Sequence, residues 1–204
     1  PTGRVAQRQV DKFEQRRREL ADAALQTLSE LGYARTSLRE IAQNSPFSHG
    51  VLHYYFRDKV DLITYCVRQY KTEGVHRYDD IVAGSTTAEQ LSRDFGARLA
   101  ETMVEDAAMH RLWYDLRAQA LFEDSFRSDV LEIDAVLEQM IWRVVRRCAD
   151  LAGTAPATGS PEAYAMFDGL FQQALLQHLA GAPEAGARLD ASARRLLALV
   201  VPVG

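Results

Sequence analysis

Apolar residues recur along this chain at the three- and four-residue spacing of an α-helix, and no stretch shows the strict alternation of a half-buried strand. Leu20, Ala24, Leu28 and Leu31 stand at successive turns of a first helix, and Gly32 closes it. Leu38, Ile41 and Ala42 give a short second helix one apolar face, and Leu52, Tyr55 and Phe56 do the same for a third. Leu62, Ile63, Cys66, Val67 and Tyr70 then predict one long helix from residue 59 toward 81, about 24 residues or ~36 Å at 1.5 Å per residue. Three further helices carry Leu91, Phe95, Leu99 and Met103, then Leu112, Trp113, Leu116 and Ala120, then Val130, Ile133, Leu137, Met140 and Val144. Near residues 160–181 the pattern changes. Met166, Phe167, Leu170, Phe171, Leu175, Leu176 and Leu179 surround the axis, so both sides of this helix must be covered. The stretch 190–201, with Leu196, Leu197, Leu199, Val200 and Val201, is similarly rich. The expected fold is all-α, with about nine helices packed as a bundle behind a small N-terminal group.

Local signals fix the ends of the short helices. Ser37 and Glu40 form an S-x-x-E capping box, Asn44, Ser45 and Pro46 interrupt the pattern, and Ser48 caps the third helix. Asp58 caps the fourth, while Ser160 with Pro161 starts the helix over 160–181. Two short helices joined by a tight break after a longer one make a helix-turn-helix. At about 100° per residue the third helix places Leu52, Tyr55 and Phe56 inside and His49, Gly50, His53 and Tyr54 outside, with Val51 at the border. A solvated face would carry Glu and Lys. This one carries ring donors and a glycine that removes bulk, as close approach to a polyanion requires.

Several blocks in order carry a family resemblance: R-R-x-x-L-x-x-A-A-L ending at Leu25, L-G-Y at 31–33, T-S-L-R-E-I-A at 36–42, S-H-G-V-L at 48–52 and F-R-D-K at 56–59. From about residue 17 to 62 the chain resembles the DNA-binding domain of TetR (tetracycline-repressor) family transcriptional regulators. The resemblance implies a three-helix helix-turn-helix domain over 1–62 and a helical ligand-binding and dimerisation domain over 63–204. It implies DNA contacts from Arg17, Thr36, Ser37, Ser48, His49, Gly50, Val51, His53, Tyr54 and Lys59, the lysine meeting a phosphate near the positive end of its helix. It further implies a homodimer through the helices at about 160–181 and 190–201. Three positions depart from the family's habit. Pro46 and Phe47 stand where the turn usually has glycine and a small aliphatic residue, which bears on the angle between the two helices. His53 stands where tyrosine is common; a histidine still donates to phosphate, and more strongly as a cation.

Charge changes the picture only once it is divided. The 204 residues carry a formal net charge of −4, which argues against a nucleic-acid binder. Residues 1–62, however, hold 10 Lys+Arg against 8 Asp+Glu, leaving 14 against 20 for the rest of the 24 and 28. A basic front on an acidic body suits a DNA reader with a separate sensing or assembly domain. Arg4, Arg8, Lys12, Arg16, Arg17 and Arg18 lead into the first helix, either as an arm along DNA or as a solvated terminus.

The chain shows no charged-then-apolar leader and no apolar run near the ~20 residues of a membrane span, so a cytoplasmic protein is expected. Cys66 and Cys148 read as reduced core residues, and no Cys/His spacing resembles a zinc site. Nucleophile elbow, H-E-x-x-H and phosphate-binding glycine loop are all missing, which leaves no enzyme reading and no cofactor. The rival is a helical protein-interaction module of the same fold, against which the outer face of the third helix argues. Rings and aliphatic groups on the later helices suffice to line an apolar cavity: the expected ligand set is Phe95, Leu99, Met103, His110, Trp113, Arg117, Phe126, Met140 and Phe171. With few inward charges, the expected inducer is a mostly apolar small molecule held by one or two polar contacts, from Arg117 or His110. Homodimer, operator duplex and inducer are thus the expected partners of a repressor-type regulator.

Overall fold

The computed structural model describes residues 2–202, with side chains from residue 9 onward. Among these the secondary structure is entirely helical: α1 (Thr2–Leu31), α2 (Leu38–Gln43), α3 (His49–Tyr55), α4 (Lys59–Gly74), α5 (Asp79–Gly84), α6 (Ala88–Glu105), α7 (Ala107–Gln119), a 3-10 turn (Asp124–Phe126), α8 (Arg127–Ala152), α9 (Ser160–Leu179) and α10 (Ala185–Val200). Two compact units divide the chain. The first comprises Pro1–Tyr70 with Arg111–Val130, the second Lys71–His110 with Leu131–Gly204. The first therefore includes a segment, 111–130, that lies beyond residue 62 in sequence.

Within the first unit α1, α2 and α3 pack on one another around Leu20, Ala24, Leu28, Leu38, Ile41, Leu52 and Phe56, all buried. α1 ends where Gly32 takes φ +75, a left-handed conformation that costs glycine nothing; a Cβ there would lie 3.1 Å from Asp115 Oδ2. That carboxylate accepts the Tyr33 N–H at 2.6 Å, and the Tyr33 hydroxyl donates to Glu123 Oε2 at 3.2 Å. The 111–130 segment thereby braces the corner between α1 and α2. The basic lead-in, read either as an arm along DNA or as a solvated terminus, has helical backbone from Thr2, and the side chains of Arg4 and Arg8 lie outside the described residues.

The single helix expected over 59–81 is two. α4 stops at Gly74, Arg77 N–H turns back to the Gly74 carbonyl at 3.0 Å, and α5 begins at Asp79. The Arg143 guanidinium accounts for the break locally, donating to the Val75 carbonyl at 2.6 Å and so satisfying a group that a continued helix would have used.

In the second unit α10 packs chiefly on α6 and α9. Buried Gly96 makes that approach possible, since a Cβ there would meet the Asp190 side chain and stand 3.1 Å from its backbone carbonyl. α9 begins one residue earlier than the cap reading placed it. Gly159 is the cap, and Ser160, already helical, donates from Oγ to Glu138 Oε1 at 2.6 Å. No helix among the described residues is long and apolar enough to cross a membrane. Cys66 and Cys148 are buried free thiols, and burial pushes both up from the ordinary thiol range.

Candidate nucleic-acid interface

The two short helices owe their existence to their caps, being too short to hold themselves. Ser37 Oγ accepts the Glu40 N–H at 3.2 Å while Glu40 Oε2 accepts the Ser37 N–H at 2.8 Å, the reciprocal box expected from sequence. Asn44 closes α2 by donating from Nδ2 to the Glu40 carbonyl at 3.0 Å. Ser48 Oγ accepts the Val51 N–H at 3.3 Å and starts α3.

α3 then divides as its periodicity requires. Leu52 is fully buried, Tyr55 is half-buried with its ring 4.9 Å from that of Phe13, and Val51 lies at the border. His49, Gly50, His53 and Tyr54 are exposed, Tyr54 by 73%. Nothing lies within 4 Å of a Cβ built on Gly50, so this position leaves the surface open. The two histidine rings stand edge to face with Nε2 atoms 3.1 Å apart.

Other expected contact residues are placed differently. Thr36 is 3% exposed and donates its hydroxyl to the Gly32 carbonyl at 2.6 Å, so its side chain serves the α1–α2 corner and does not face outward. Arg17 is also taken up internally: its guanidinium lies 4.9 Å and 4.5 Å from the Phe56 and Tyr65 ring centres and 3.4 Å from Asp61. Lys59, at the start of α4, donates to the Tyr33 carbonyl at 2.8 Å and sits 4.1 Å over the Tyr33 ring. Asp58 caps α4 by accepting the Asp61 N–H at 2.9 Å. Burial, followed by Glu123, pushes the Tyr33 hydroxyl up to about 12, so the ring under Lys59 stays neutral. The sequence reading passed over the exposed arginines Arg35, Arg39 and Arg57, the last with its side chain 87% accessible. Their place at helix ends beside the motif was the available signal.

Residues 20–66, which contain α2, α3 and their caps, match the family model for bacterial regulatory proteins of the tetR family. The chain is 30% identical over 112 residues to the HTH-type transcriptional regulator BetI of Escherichia coli, a match covering 53% of this chain and 56% of BetI. This segment, residues 20–66, is of the TetR family. It spans about half the length of the curated relatives it matches. Solved structures extend the likeness of fold. A TetR transcription regulator from Haloarcula marismortui superposes with TM-score 0.74 at 18% identity, covering 92% of this chain and 99% of that one. The transcriptional regulator FadR from Bacillus subtilis, in complex with stearoyl-CoA, does so with TM-score 0.67 at 16% identity, covering 91% and 97%. Arg17 falls outside the matched TetR segment, in keeping with its inward position.

The expected ligand set of this chain is divided between the units. Trp113, Arg117 and Phe126 belong to the first, where buried Phe126 packs against Tyr33 at 5.9 Å between ring centres; Phe126 is core there. Phe95, Leu99, Met103, His110, Met140 and Phe171 belong to the second, Met140 only half-buried. Phe95 meets the rings of Tyr78 at 5.1 Å and Phe167 at 5.6 Å, and His110 meets Phe171 at 4.7 Å. Sequence reasoning missed Lys71, in the last turn of α4. It is 6% exposed, with Nζ 3.3 Å from His110 Nδ1. Burial lowers Lys71 to about 7, and burial together with the Lys71 charge lowers His110 to about 2. A buried polar pair thus lies beside the Phe171 ring, with Arg77, Asp106, Asp134 and Asp168 acting on Lys71. Only its charge pattern, one lysine amid helix-interior residues, was there to be read.

Proposed function

We propose that this chain is a ligand-responsive transcriptional repressor that binds a roughly palindromic duplex as a homodimer and is released by a mostly apolar small molecule. The observation that carries the reading is the outer face of α3, where Tyr54, His49 and His53 stand exposed around open Gly50 on a helix fixed by the Ser48 cap. In this reading His49, His53 and Tyr54 address base edges and phosphates in the major groove, Gly50 and Val51 permit close approach, and Ser37, Ser48 and Lys59 position the backbone. Arg17 and Thr36 hold the frame.

The homodimer reading rests on α9 and α10. Met166, Leu176, Leu179 and Leu199 are exposed large apolar residues, and Met166 and Leu199 flank a groove also lined by Ala165, Gly169, Leu170 and Leu196. Gly169 is exposed in mid-helix, where glycine costs about 1 kcal/mol against alanine unless a close neighbour compensates. A second copy supplies that neighbour and covers the side of α9 that α6 and α10 leave exposed.

The inducer site is assigned to the second unit, with Phe95, Leu99, Met103 and Phe171 as the apolar wall and His110 with Lys71 as the polar contact. FadR of Bacillus subtilis holds stearoyl-CoA, a molecule with a long apolar chain, which supports this ligand class. α4 carries Lys59 in its first turn and Lys71 in its last, giving ligand and DNA one shared element to bias. A ligand releases DNA only as far as it prefers the state with α4 displaced. Gel shifts against duplex DNA at two salt concentrations test the reading. Specific binding with a steep salt dependence, weakened by an apolar effector, is the expected result; a chain that ignores duplex DNA at both concentrations is instead an interaction module.

A further inference from the structure

The histidine pair on α3 has chemistry that phosphate contact does not require. His49 and His53 are one turn apart and both exposed, and their Nε2 atoms lie 3.1 Å from each other. As a hydrogen bond between neutral rings this contact needs one donor and one acceptor. The same spacing is that of two ligands on one ion: with metal–nitrogen bonds of about 2.0–2.1 Å, nitrogens this far apart subtend about 98° at the metal, between square-planar and tetrahedral values. Rotation about χ2, which is broad for histidine, turns both lone pairs to a common outward point, and exposure leaves the rings free to make it. Space for the remaining positions of an ion is present, because a Cβ on Gly50 would meet nothing within 4 Å. Among the described residues no group of three or more His, Cys, Asp or Glu could hold a metal, so those positions belong to water.

We propose that His49 and His53 form a two-nitrogen site for a borderline divalent transition-metal ion of the copper(II), nickel(II) or zinc(II) class, on the face that reads DNA. Imidazole suits these ions, and hard cations such as magnesium are excluded by the lack of oxygen ligands. Once both Nε2 atoms bind metal, neither can donate to a base or phosphate. Metal therefore leaves each ring only its Nδ1–H to donate, changes what the reading face offers and weakens sequence-specific binding, a consequence that rests on the function proposed above.

Zinc(II) titration of the full chain by calorimetry, without DNA, tests the site itself. One zinc per chain is expected at this site, with the ring-proton NMR signals of His49 and His53 shifting together. His49→Gln or His53→Gln should weaken binding by at least what loss of a supporting partner costs, about 10–100-fold. His76→Gln should leave it unchanged, which separates the site from the exposed His76–Asp79 pair, 2.5 Å apart. Equal zinc affinity in wild type and both α3 variants, or shifts confined to other histidines, overturns the proposal. In a gel shift, zinc should then weaken specific binding by the wild type and not by His53→Gln. A chain that binds zinc as stated yet ignores duplex DNA refutes the DNA reading and leaves the metal site standing.

Discussion

Tyr54 and Lys59 stand only five positions apart, yet their surroundings predict different behaviour. Tyr54 is exposed on the outer face of α3, so Tyr54→Ala should lower specific binding by about 1–3 kcal/mol with little effect on random sequence. Lys59→Ala should weaken all sequences alike and flatten the salt slope; equal loss of specificity from both changes would contradict these roles. Lys71 gives a residue-scale test in the second unit. Its folded pKa, about 7, lies below the ordinary 10.5, so between those values the unfolded chain binds more protons and stability rises with pH. His110, held down to about 2, adds a loss of stability as pH falls below about 6.5. Lys71→Met should flatten the upper limb in denaturant unfolding measured across pH while the acid limb remains; an unchanged upper limb would mean the amine is not buried as described. The face of α3 was legible in sequence because helical period alone decides it. Thr36 and Arg17 were not, since their partners, the Gly32 carbonyl and the Phe56 and Tyr65 rings, are set by how helices meet.

Caps explain what was legible among the elements. The Ser37–Glu40 box, the Ser48 cap and the Gly32 stop are each complete within a few residues, so local sequence carries them whole. Ser37→Ala should cost about 0.5–2 kcal/mol in equilibrium unfolding, mostly by loosening α2; a loss much smaller than that would show that α2 is held by packing on α1 and α3 alone. The end of α4 was not legible. Apolar spacing continues past Gly74 to Ile81, and only the Arg143 side chain, 68 residues after Val75, takes the carbonyl that ends the helix. A break made by a distant donor leaves no local signature. In the same way nothing within α4 marks Lys71, because its burial beside His110 of α7 is set by another element.

At the scale of the whole molecule the account requires two copies acting together, with recognition helices about 34–36 Å apart, one DNA turn, or a multiple of that. Leu199, exposed on α10 beside the α9 groove, is where a charge should separate them. Leu199→Glu should shift sedimentation from dimer toward monomer while the helical signal is kept, and a dimer unmoved by this change would place the interface elsewhere. The division of charge along the chain suggested a basic reader and an acidic body. It could not foretell that residues 111–130 join the reader's compact unit, because that depends on Asp115 and Glu123 meeting Tyr33. The most direct test of the central claim is selection of duplexes from a random pool by the full chain, run in parallel with Tyr54→Ala. The account predicts that the wild type enriches an inverted repeat with half-sites about 10 base pairs apart, or a multiple, and that Tyr54→Ala loses or relaxes it. No enrichment by the wild type, or the same motif enriched equally by the variant, would contradict the assignment of α3 as the helix that reads DNA.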